Sequence, residues 1–244
     1  MIQAFGDKGI KTIQVLARNR HTAARLSTTF SIPYTMDSGK LVRDADLYLL
    51  SVRDDEISKV ASALHLHDQL LVHTSGFTGL EALSGASSNT GVIWPLQTLT
   101  SGITADYQQI PFFIEANSMD NLEKIKQLAE KVSNRVIATD SPMRQKVHLA
   151  AVIASNLTNQ LYTISATILE RQGVPFDVLG PLILETAKKA ASGHPLKSQT
   201  GPAVRNDLKV MGNHLELLRD EPAYRDIYRM ISENIIHLHH NKND

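Results

Sequence analysis

The chain contains no cysteine, which excludes disulfide bonds, thiolate metal sites and cysteine nucleophiles. It also lacks an apolar run approaching the roughly 18 residues of a membrane span and a basic start that leads into an apolar signal core. Its 25 Lys and Arg residues balance its 25 Asp and Glu residues, so no net field favours nucleic acid or an anionic membrane surface. We therefore expect a soluble, cytoplasmic protein with neither nucleic acid nor membrane as a partner.

Short apolar strands alternate with helical segments over the first 140 residues. This order predicts an α/β fold with a doubly wound, mostly parallel sheet. After Asp140 every segment has helical periodicity, and Ser141 followed by Pro142 is typical of a helix start. We therefore divide the chain into an α/β domain over 1–140 and an all-α domain over 141–244. The predicted strands cover 12–18, 44–52, 69–76, 91–96, 110–116 and 135–140, and the predicted helices after 140 cover about 141–173, 176–191, 202–219 and 222–239.

A glycine-rich loop is also missing. In a dinucleotide-binding sheet the first strand runs into a GxGxxG turn, which lets a pyrophosphate approach a helix N-terminus. The chain has no such motif, yet residues 1–18 have the order of helix end, turn and strand that normally follows it. We expect the natural protein to begin about 15 to 25 residues earlier, with a strand and a glycine loop. Without that strand, the strands at 12–18 and 44–52 would face a gap with unpaired backbone groups.

The stretch ARNRHT directly follows the strand at 12–18. In such a sheet an acidic residue at this position favours the ribose 2′-OH of NAD, whereas an Arg accommodates the 2′-phosphate of NADP. Guanidinium groups match phosphate oxygens, so Arg18 and Arg20, with Asn19 between them, predict NADP as cofactor. The alternative is two solvated arginines in a loop.

Small and hydroxyl residues end three of the predicted strands, in LLSV, HTSG and WPLQT. Ligands of open α/β sheets bind over the carboxyl ends of the strands. Ordinary strand-to-helix turns use the same residue types, so a structural role stays open for these stretches.

The predicted helix at 141–173 has a polar stripe of amides, hydroxyls and one imidazole instead of Lys and Glu. At 100° per residue, His148, Asn156 and Asn159 share this stripe. An imidazole can act as general acid or base near neutral pH, and amides can orient a carbonyl or carboxylate. We therefore take these three residues as catalytic candidates. The alternative is a hydrogen-bonded seam between helices.

QTGPAVRND, residues 199–207, predicts a second anion site. Free amides at a helix start near 202, together with Arg205 one turn in, would form a clamp for a carboxylate or phosphate. Glu185 and Thr186 are possible buried partners of such an arginine, and the alternative is a plain cap with Arg205 paired to Asp207. The histidines of the tail HLHHNKND lack co-ligands at fixed geometry, so we expect no metal site.

Several stretches together resemble a known family: LLSVRDDEI, VHTSG, GVIWPLQT, IPFFIEA, HLAAVIASNLTNQLY, LILETAKKA and QTGPAVRND. They resemble bacterial proteins with a Rossmann-like domain and a DUF2520 C-terminal domain, some of which are labelled NADP oxidoreductases. The layout is similar to that of pyrroline-5-carboxylate reductase, prephenate dehydrogenase and the 6-phosphogluconate dehydrogenase group. The resemblance implies an NADP-binding domain followed by a helical domain that contacts substrate and dimerises, although the family's glycine loop is absent here.

The resemblance also implies roles for the strand ends. By position, Ser51 and Val52 lie near the cofactor and Thr74 and Ser75 near its nicotinamide side, while Pro95, Gln97 and Thr98 lie between cofactor and substrate.

These observations predict an NADP-dependent oxidoreductase that moves hydride to or from a small carbonyl, imine or hydroxy acid. His148 would exchange the proton, Asn156 and Asn159 would hold the reacting oxygen, and Arg205 would clamp an acidic group of the substrate. A homodimer is expected. The alternatives are a non-catalytic nucleotide-binding or regulatory dimer, and a structural dimer with a decayed cofactor site.

Overall fold

The structure is a computed structural model that describes residues 1–98 and 106–240. The chain divides into two compact units, Met1–Asn156 (the first unit) and Leu157–Asp244 (the second unit). The division falls beyond residue 140, and helix α5 (Ser141–Val152) packs through Val147 on the sheet of the first unit. The assignment of NAD(P) binding to 1–140, and of substrate binding and dimerisation to 141–244, stays a prediction.

The first unit contains two sheets in the part that the structure describes. A parallel pair joins β1 (Val15–Leu16) to β2 (Tyr34–Thr35). The larger sheet has the order β3-β4-β5-β6-β7, and its β5–β6 pair is antiparallel while the other pairs are parallel. Its strands are β3 (Tyr48–Leu50), β4 (Leu71–His73), β5 (Thr90–Pro95), β6 (Phe112–Ala116) and β7 (Val136–Ala138). The predicted mostly parallel sheet is confirmed.

β1 and β3 are the strands that the sequence predicts to face a gap. Among residues 1–98 and 106–240, β1 pairs with β2 and β3 pairs with β4, and no backbone ladder joins β1 to β3. In the described part of the chain, each of these strands therefore has one edge without a neighbouring strand.

Helices cover both faces of the larger sheet. Successive side chains of a strand point to opposite faces, so Leu71 and Val72 belong to different cores. Val72 packs in a fully buried cluster with Ile125 of α4, and Leu71 packs with Ile57 of α3. The helices of this unit, besides α5, are α1 (Ile2–Gly6), α2 (Arg20–Phe30), α3 (Ile57–Ala63) and α4 (Met119–Glu130). This layering confirms the doubly wound arrangement.

The second unit consists of helices and turns in its described part. Its helices are α6 (Thr158–Glu170), α7 (Gly180–Ser192), α8 (Pro195–Ser198), α9 (Leu208–Leu217) and α10 (Pro222–His240). The all-α character predicted for this part of the chain is confirmed. Of the helices described, none combines the length and the apolar character that crossing a membrane requires.

The predicted start of a helix near 202 is wrong. Residues 202–206 form turns, and α9 begins at Leu208. Asp207 decides this start, because its carboxylate accepts a hydrogen bond from the backbone N–H of Val210 at 3.1 Å and so caps the helix.

The predicted continuous helix over 141–173 is interrupted by a π-helical segment, Ile153–Leu157. A π-helix has a wider turn than the 3.6 residues of an α-helix. The periodicity that predicts His148, Asn156 and Asn159 on one face therefore does not hold across this segment.

Candidate functional site

The carboxyl ends of β3, β4 and β5 lie at one edge of the sheet, because these three strands are parallel. Ser51 follows β3, Thr74 follows β4 and Pro95 ends β5. The backbone N–H of Thr74 donates to the carbonyl of Leu50 at 3.1 Å, which ties two of these ends together. Ser51 is exposed, whereas Val52 packs against the core beneath α3. The structure therefore brings the predicted strand-end segments to one edge.

Three rings surround Gly76 beyond the end of β4. The ring centroid of His148 lies 5.7 Å from that of Trp94 and 5.9 Å from that of Phe77. A Cβ atom at Gly76 would lie 2.5 Å from Trp94 Cε2 and 2.6 Å from His148 Cδ2. A glycine is therefore required for the backbone to approach these two rings. We call Phe77, Trp94 and His148 the ring cluster.

Exposure differs among the members of the ring cluster. Trp94 is buried, His148 is half-buried and Phe77 is 55% exposed. Gln145, one turn before His148, donates from Nε2 to the carbonyl of Phe77 at 2.9 Å. The cluster thus has an open side at which an imidazole and an aromatic face meet solvent.

The hydroxyl of Ser75 is committed to the protein's own turn. It accepts hydrogen bonds from the backbone N–H groups of Phe77 (3.1 Å) and Thr78 (2.8 Å) and donates to Asp54 Oδ2 at 2.8 Å. Since Ser75 is also buried, its side chain shapes the turn instead of facing a ligand.

Arg144 of α5 forms hydrogen bonds with the same turn. Its side chain is fully buried, and Nη2 lies 2.8 Å from Glu115 Oε2 on β6. Nη1 donates to the carbonyls of Ser75 (2.9 Å) and Thr78 (2.8 Å), and Nη2 also donates to Ser141 Oγ at 3.0 Å. A buried guanidinium with these acceptors fixes the turn at residues 75–78 relative to α5, which carries His148.

Sequence reasoning missed Arg144, although a signal was present. Glu115 lies at an alternate position in the apolar stretch IPFFIEA and shares a face with Phe113. A carboxylate in a buried strand requires a cationic or hydrogen-bonding partner, and Arg144 lies near the start of the predicted helix at 141–173. The pairing is not visible in sequence, because 29 residues separate the two partners.

His73, at the end of β4, is fully buried. Burial, together with the positive charge of Arg144, lowers the pKa of His73 to about 4. Its Nδ1 accepts a hydrogen bond from the backbone N–H of Ser75 at 3.1 Å, so the proton of the neutral ring is on Nε2. His73 is therefore neutral at physiological pH and supports the turn.

Of the predicted substrate-side residues near β5, Pro95 is buried, whereas the two that follow it lie at the surface. Gln97 and Thr98 are exposed, and Thr98 Oγ1 lies 3.5 Å from Ser155 Oγ of the π-helical segment. Asn156, also in this segment, is exposed. In the second unit, Asn159 is exposed on α6.

The predicted NADP-selecting residues form the loop between β1 and α2. Asn19 caps α2, because its Oδ1 accepts from the backbone N–H of Thr22 at 3.0 Å. Arg18 and Arg20 flank this cap and are at least partly exposed. Arg18 forms an ion pair with Glu56, which directly precedes α3.

Arg205 of the second unit is exposed in the turns before α9. The carboxylate of Asp207 caps that helix. The predicted burial of Glu185 and Thr186 is wrong: both are exposed. Glu185 pairs with Lys189 one turn later at 3.1 Å, and Thr186 donates to a backbone carbonyl of its own helix. These residues satisfy their polar groups locally, which removes the reason to bury them with an arginine.

Within the described ranges, no group of three His, Cys, Asp or Glu side chains is placed to hold a metal ion. In the C-terminal tail, His240 Nε2 donates to the carbonyl of Val204 at 2.8 Å. Residues 241–244 of that tail lie outside the described residues.

Three solved structures illustrate what the chain is similar to. A "putative NADP oxidoreductase" from Bacteroides fragilis is 36% identical with a TM-score of 0.88, and the match covers 96% of this chain and 92% of the other. A 1-pyrroline-5-carboxylate reductase from Streptococcus pyogenes has 14% identity and a TM-score of 0.60, with 96% and 93% covered. An imine reductase from Myxococcus stipitatus in complex with NADP⁺ has 15% identity and a TM-score of 0.59, with 96% and 86% covered. The last two show a shared fold.

None of the curated proteins matches the sequence. The family model described as a domain of unknown function (DUF2520) matches residues 110–235, which is more than half of the chain. The fold is the Rossmann-like one of NADP reductases with a helical C-terminal part. The family match and the 36% identity to the Bacteroides protein agree, and the chain belongs to the DUF2520 family.

Proposed function

We propose that the chain is an NADP-dependent oxidoreductase that transfers hydride to or from a small carbonyl, imine or hydroxy acid. The observation that carries the proposal is the half-buried imidazole of His148, held against Trp94 beyond the carboxyl ends of β4 and β5. Ligands of open α/β sheets bind at this edge, and an imidazole can exchange a proton near neutral pH. The similarity to the Bacteroides NADP oxidoreductase supports the reaction class.

The donor set of the loop after β1 fits the adenosine end of NADP. Arg18 and Arg20 offer guanidinium groups on either side of Asn19, which caps α2. Planar guanidinium forks match phosphate oxygens, and the N-terminus of an eleven-residue helix adds positive potential. This set favours a 2′-phosphate over a bare ribose hydroxyl.

NADPH would supply the hydride. Ser51 and the backbone of residues 74 and 75 would line the dinucleotide, and the hydrogen bonds of Ser75 hold that backbone in place. His148 would hold the proton that the reacting nitrogen or oxygen takes up, and Phe77 and Trp94 would exclude water from one side of it. Gln97, Thr98 and Asn156 would orient the substrate, next to Pro95. The catalytic role of Asn159, the substrate-binding role of Arg205 and an acidic substrate stay predictions.

Oxidation of NADPH in the presence of a panel of imines, ketones and keto acids tests the proposed reaction. His148→Gln should lower turnover by about 10²- to 10⁴-fold, the usual contribution of a general acid or base, while the dissociation constant of NADPH changes less than twofold. His67→Gln removes an exposed histidine elsewhere and should leave turnover unchanged. Turnover that survives His148→Gln removes the assignment of this residue.

Cofactor choice is tested by titrating NADPH and NADH against the fluorescence of Trp94, the one tryptophan of the chain. Arg18→Gln and Arg20→Gln should each weaken NADPH binding by about fivefold, as expected for losing about 1 kcal/mol of an exposed ionic contact. NADH binding should not change. Equal weakening of both dinucleotides would contradict the choice of NADP.

A second candidate function is a non-catalytic nucleotide-binding or regulatory dimer. The exposed apolar side chains of the helical second unit favour a dimer of this kind. These side chains include Leu157, Leu161, Ile168, Leu182 and Leu184, and we propose that they form a homodimer interface. NADPH binding without oxidation across the panel, with a dimeric mass by light scattering, would support this function over the enzymatic one.

A further inference from the structure

Glu56 occupies a position that the proposed function does not explain. It is the last residue of a short 3₁₀ turn, Asp54–Glu56, which follows β3 and leads into α3. Its carboxylate pairs with Arg18, which follows β1. The ion pair thus connects the loops after two strands that share no backbone ladder among the described residues. One of these loops carries the arginine proposed to bind the 2′-phosphate.

The three acidic residues of the turn have three different partners. Asp54 accepts from the hydroxyl of Ser75 at 2.8 Å. Asp55 pairs with Arg53 at 2.7 Å, and both side chains are largely exposed. Glu56 pairs with Arg18 and is the less exposed partner, at 26% against 66% for the arginine side chain. Glu56 is therefore the more buried partner of this pair, and Arg18 is the one that faces solvent.

We propose that Glu56 is a specificity-determining residue, whose carboxylate competes with the ribose 2′-phosphate for Arg18 and so lowers the preference for NADPH over NADH. This inference rests on the proposed NADP function of Arg18. A guanidinium paired with a carboxylate must give up or share that contact when a phosphate binds. An anion at Arg18 also lies within a few ångströms of the Glu56 carboxylate, where like charges repel. The ribose hydroxyl of NADH carries no charge and meets neither penalty.

Glu56→Gln tests the inference, because glutamine keeps the shape and an acceptor oxygen but removes the charge. NADPH should bind about fivefold more tightly, since an exposed ion pair contributes up to about 1 kcal/mol and 1.4 kcal/mol corresponds to tenfold. The dissociation constant of NADH should change less than twofold. The gain should shrink at 0.5 M salt, because the interaction is between exposed charges.

Asp55→Asn is the matched control. It removes the same charge from the same turn, but at a residue paired with Arg53 instead of Arg18. It should therefore leave the ratio of the two dissociation constants unchanged. In an Arg18→Gln background, Glu56→Gln should tighten NADPH binding less than it does in the wild-type chain, because the competition for Arg18 is gone and only the direct repulsion between the two anions remains.

Each outcome has a distinct meaning. Unchanged or weaker NADPH binding in Glu56→Gln, or an equal gain in Asp55→Asn, overturns the role of Glu56 while leaving the proposed function intact. If the wild-type chain binds neither NADPH nor NADH, the proposed function fails and the role of Glu56 fails with it. Selective tightening of NADPH that depends on Arg18 supports both.

Discussion

Removing the guanidinium of Arg144 should destabilise the first unit severely. Arg144 is fully buried and its partner Glu115 is 12% exposed. Arg144→Met keeps the apolar volume but leaves a nearly buried carboxylate without its cation, and it leaves the carbonyls of Ser75 and Thr78 without these donors. Breaking a buried ion pair from one side costs about 3 to 5 kcal/mol. We expect a loss of about 4 kcal/mol in the free energy of unfolding.

The reverse change, Glu115→Gln, leaves the buried guanidinium unpaired but still bonded to two carbonyls. It should cost about 3 kcal/mol. The double variant contains neither buried charge, so it should lose about 4 to 5 kcal/mol of unfolding free energy. The two single losses add up to about 7 kcal/mol. The difference is a coupling energy of the size found between residues in contact.

Urea unfolding followed by Trp94 fluorescence measures these losses in the first unit. With a slope of about 2 kcal/mol per molar urea, Arg144→Met should lower the midpoint by about 2 M. Arg53→Met removes an exposed ion pair with Asp55 and should cost less than about 1 kcal/mol. A loss below about 1 kcal/mol for Arg144→Met, or strict additivity in the double variant, would refute the reasoning.

The buried His73 predicts a pH-dependent stability. Its pKa is about 4 in the folded chain and about 6.5 when unfolded, so the unfolded chain takes up the proton first as pH falls. The free energy of unfolding should therefore decrease from pH 6.5 to pH 4 by about 3 kcal/mol. Urea unfolding at pH 7 and at pH 4.5 measures this decrease. His73→Gln should make the decrease smaller, whereas His67→Gln, at an exposed histidine, should not. Gly76→Ala should lower the free energy of unfolding by about 1 to 3 kcal/mol and displace the ring of His148. Gly85→Ala should do neither, because no atom lies where its Cβ would be. An equal change of melting temperature in both variants would contradict the contact between Gly76 and the rings.

The fold was predictable because its signals are local. Strands such as DLYLLSV and IPFFIEA are apolar over their length, and helix starts carry caps that can be read from a few residues. The helix start at 141 is confirmed with Pro142 in the first turn, but the cap is Asp140 and not Ser141. The start of α9 is predicted wrongly, because the turn-rich segment before it contains two stretches, at 200 and at 207, that could each cap a helix.

The candidate site was only partly predictable, because its contacts are long-range. The sequence indicates that HTSG ends a strand, but it does not show that the hydroxyl of Ser75 points into its own turn. The sequence also does not show that Gly76 lets the rings of Trp94 and His148 approach the backbone, where a ligand was expected. The π-helical segment at Ile153–Leu157 likewise has no marker in hydrophobic periodicity.

The amino-acid sequence by itself determined the alternation of the longer strands and helices, the mostly parallel sheet and the all-α second part, because hydrophobic period and caps act over a few residues. It did not show the short elements β2 and α8. Tertiary structure decided which polar groups are free to act. Arg144 bonds to Ser75 across 69 residues, and Glu56 reaches Arg18 across 38. Such pairs form only when packing brings distant segments together, so the local sequence pattern does not show which residues form them.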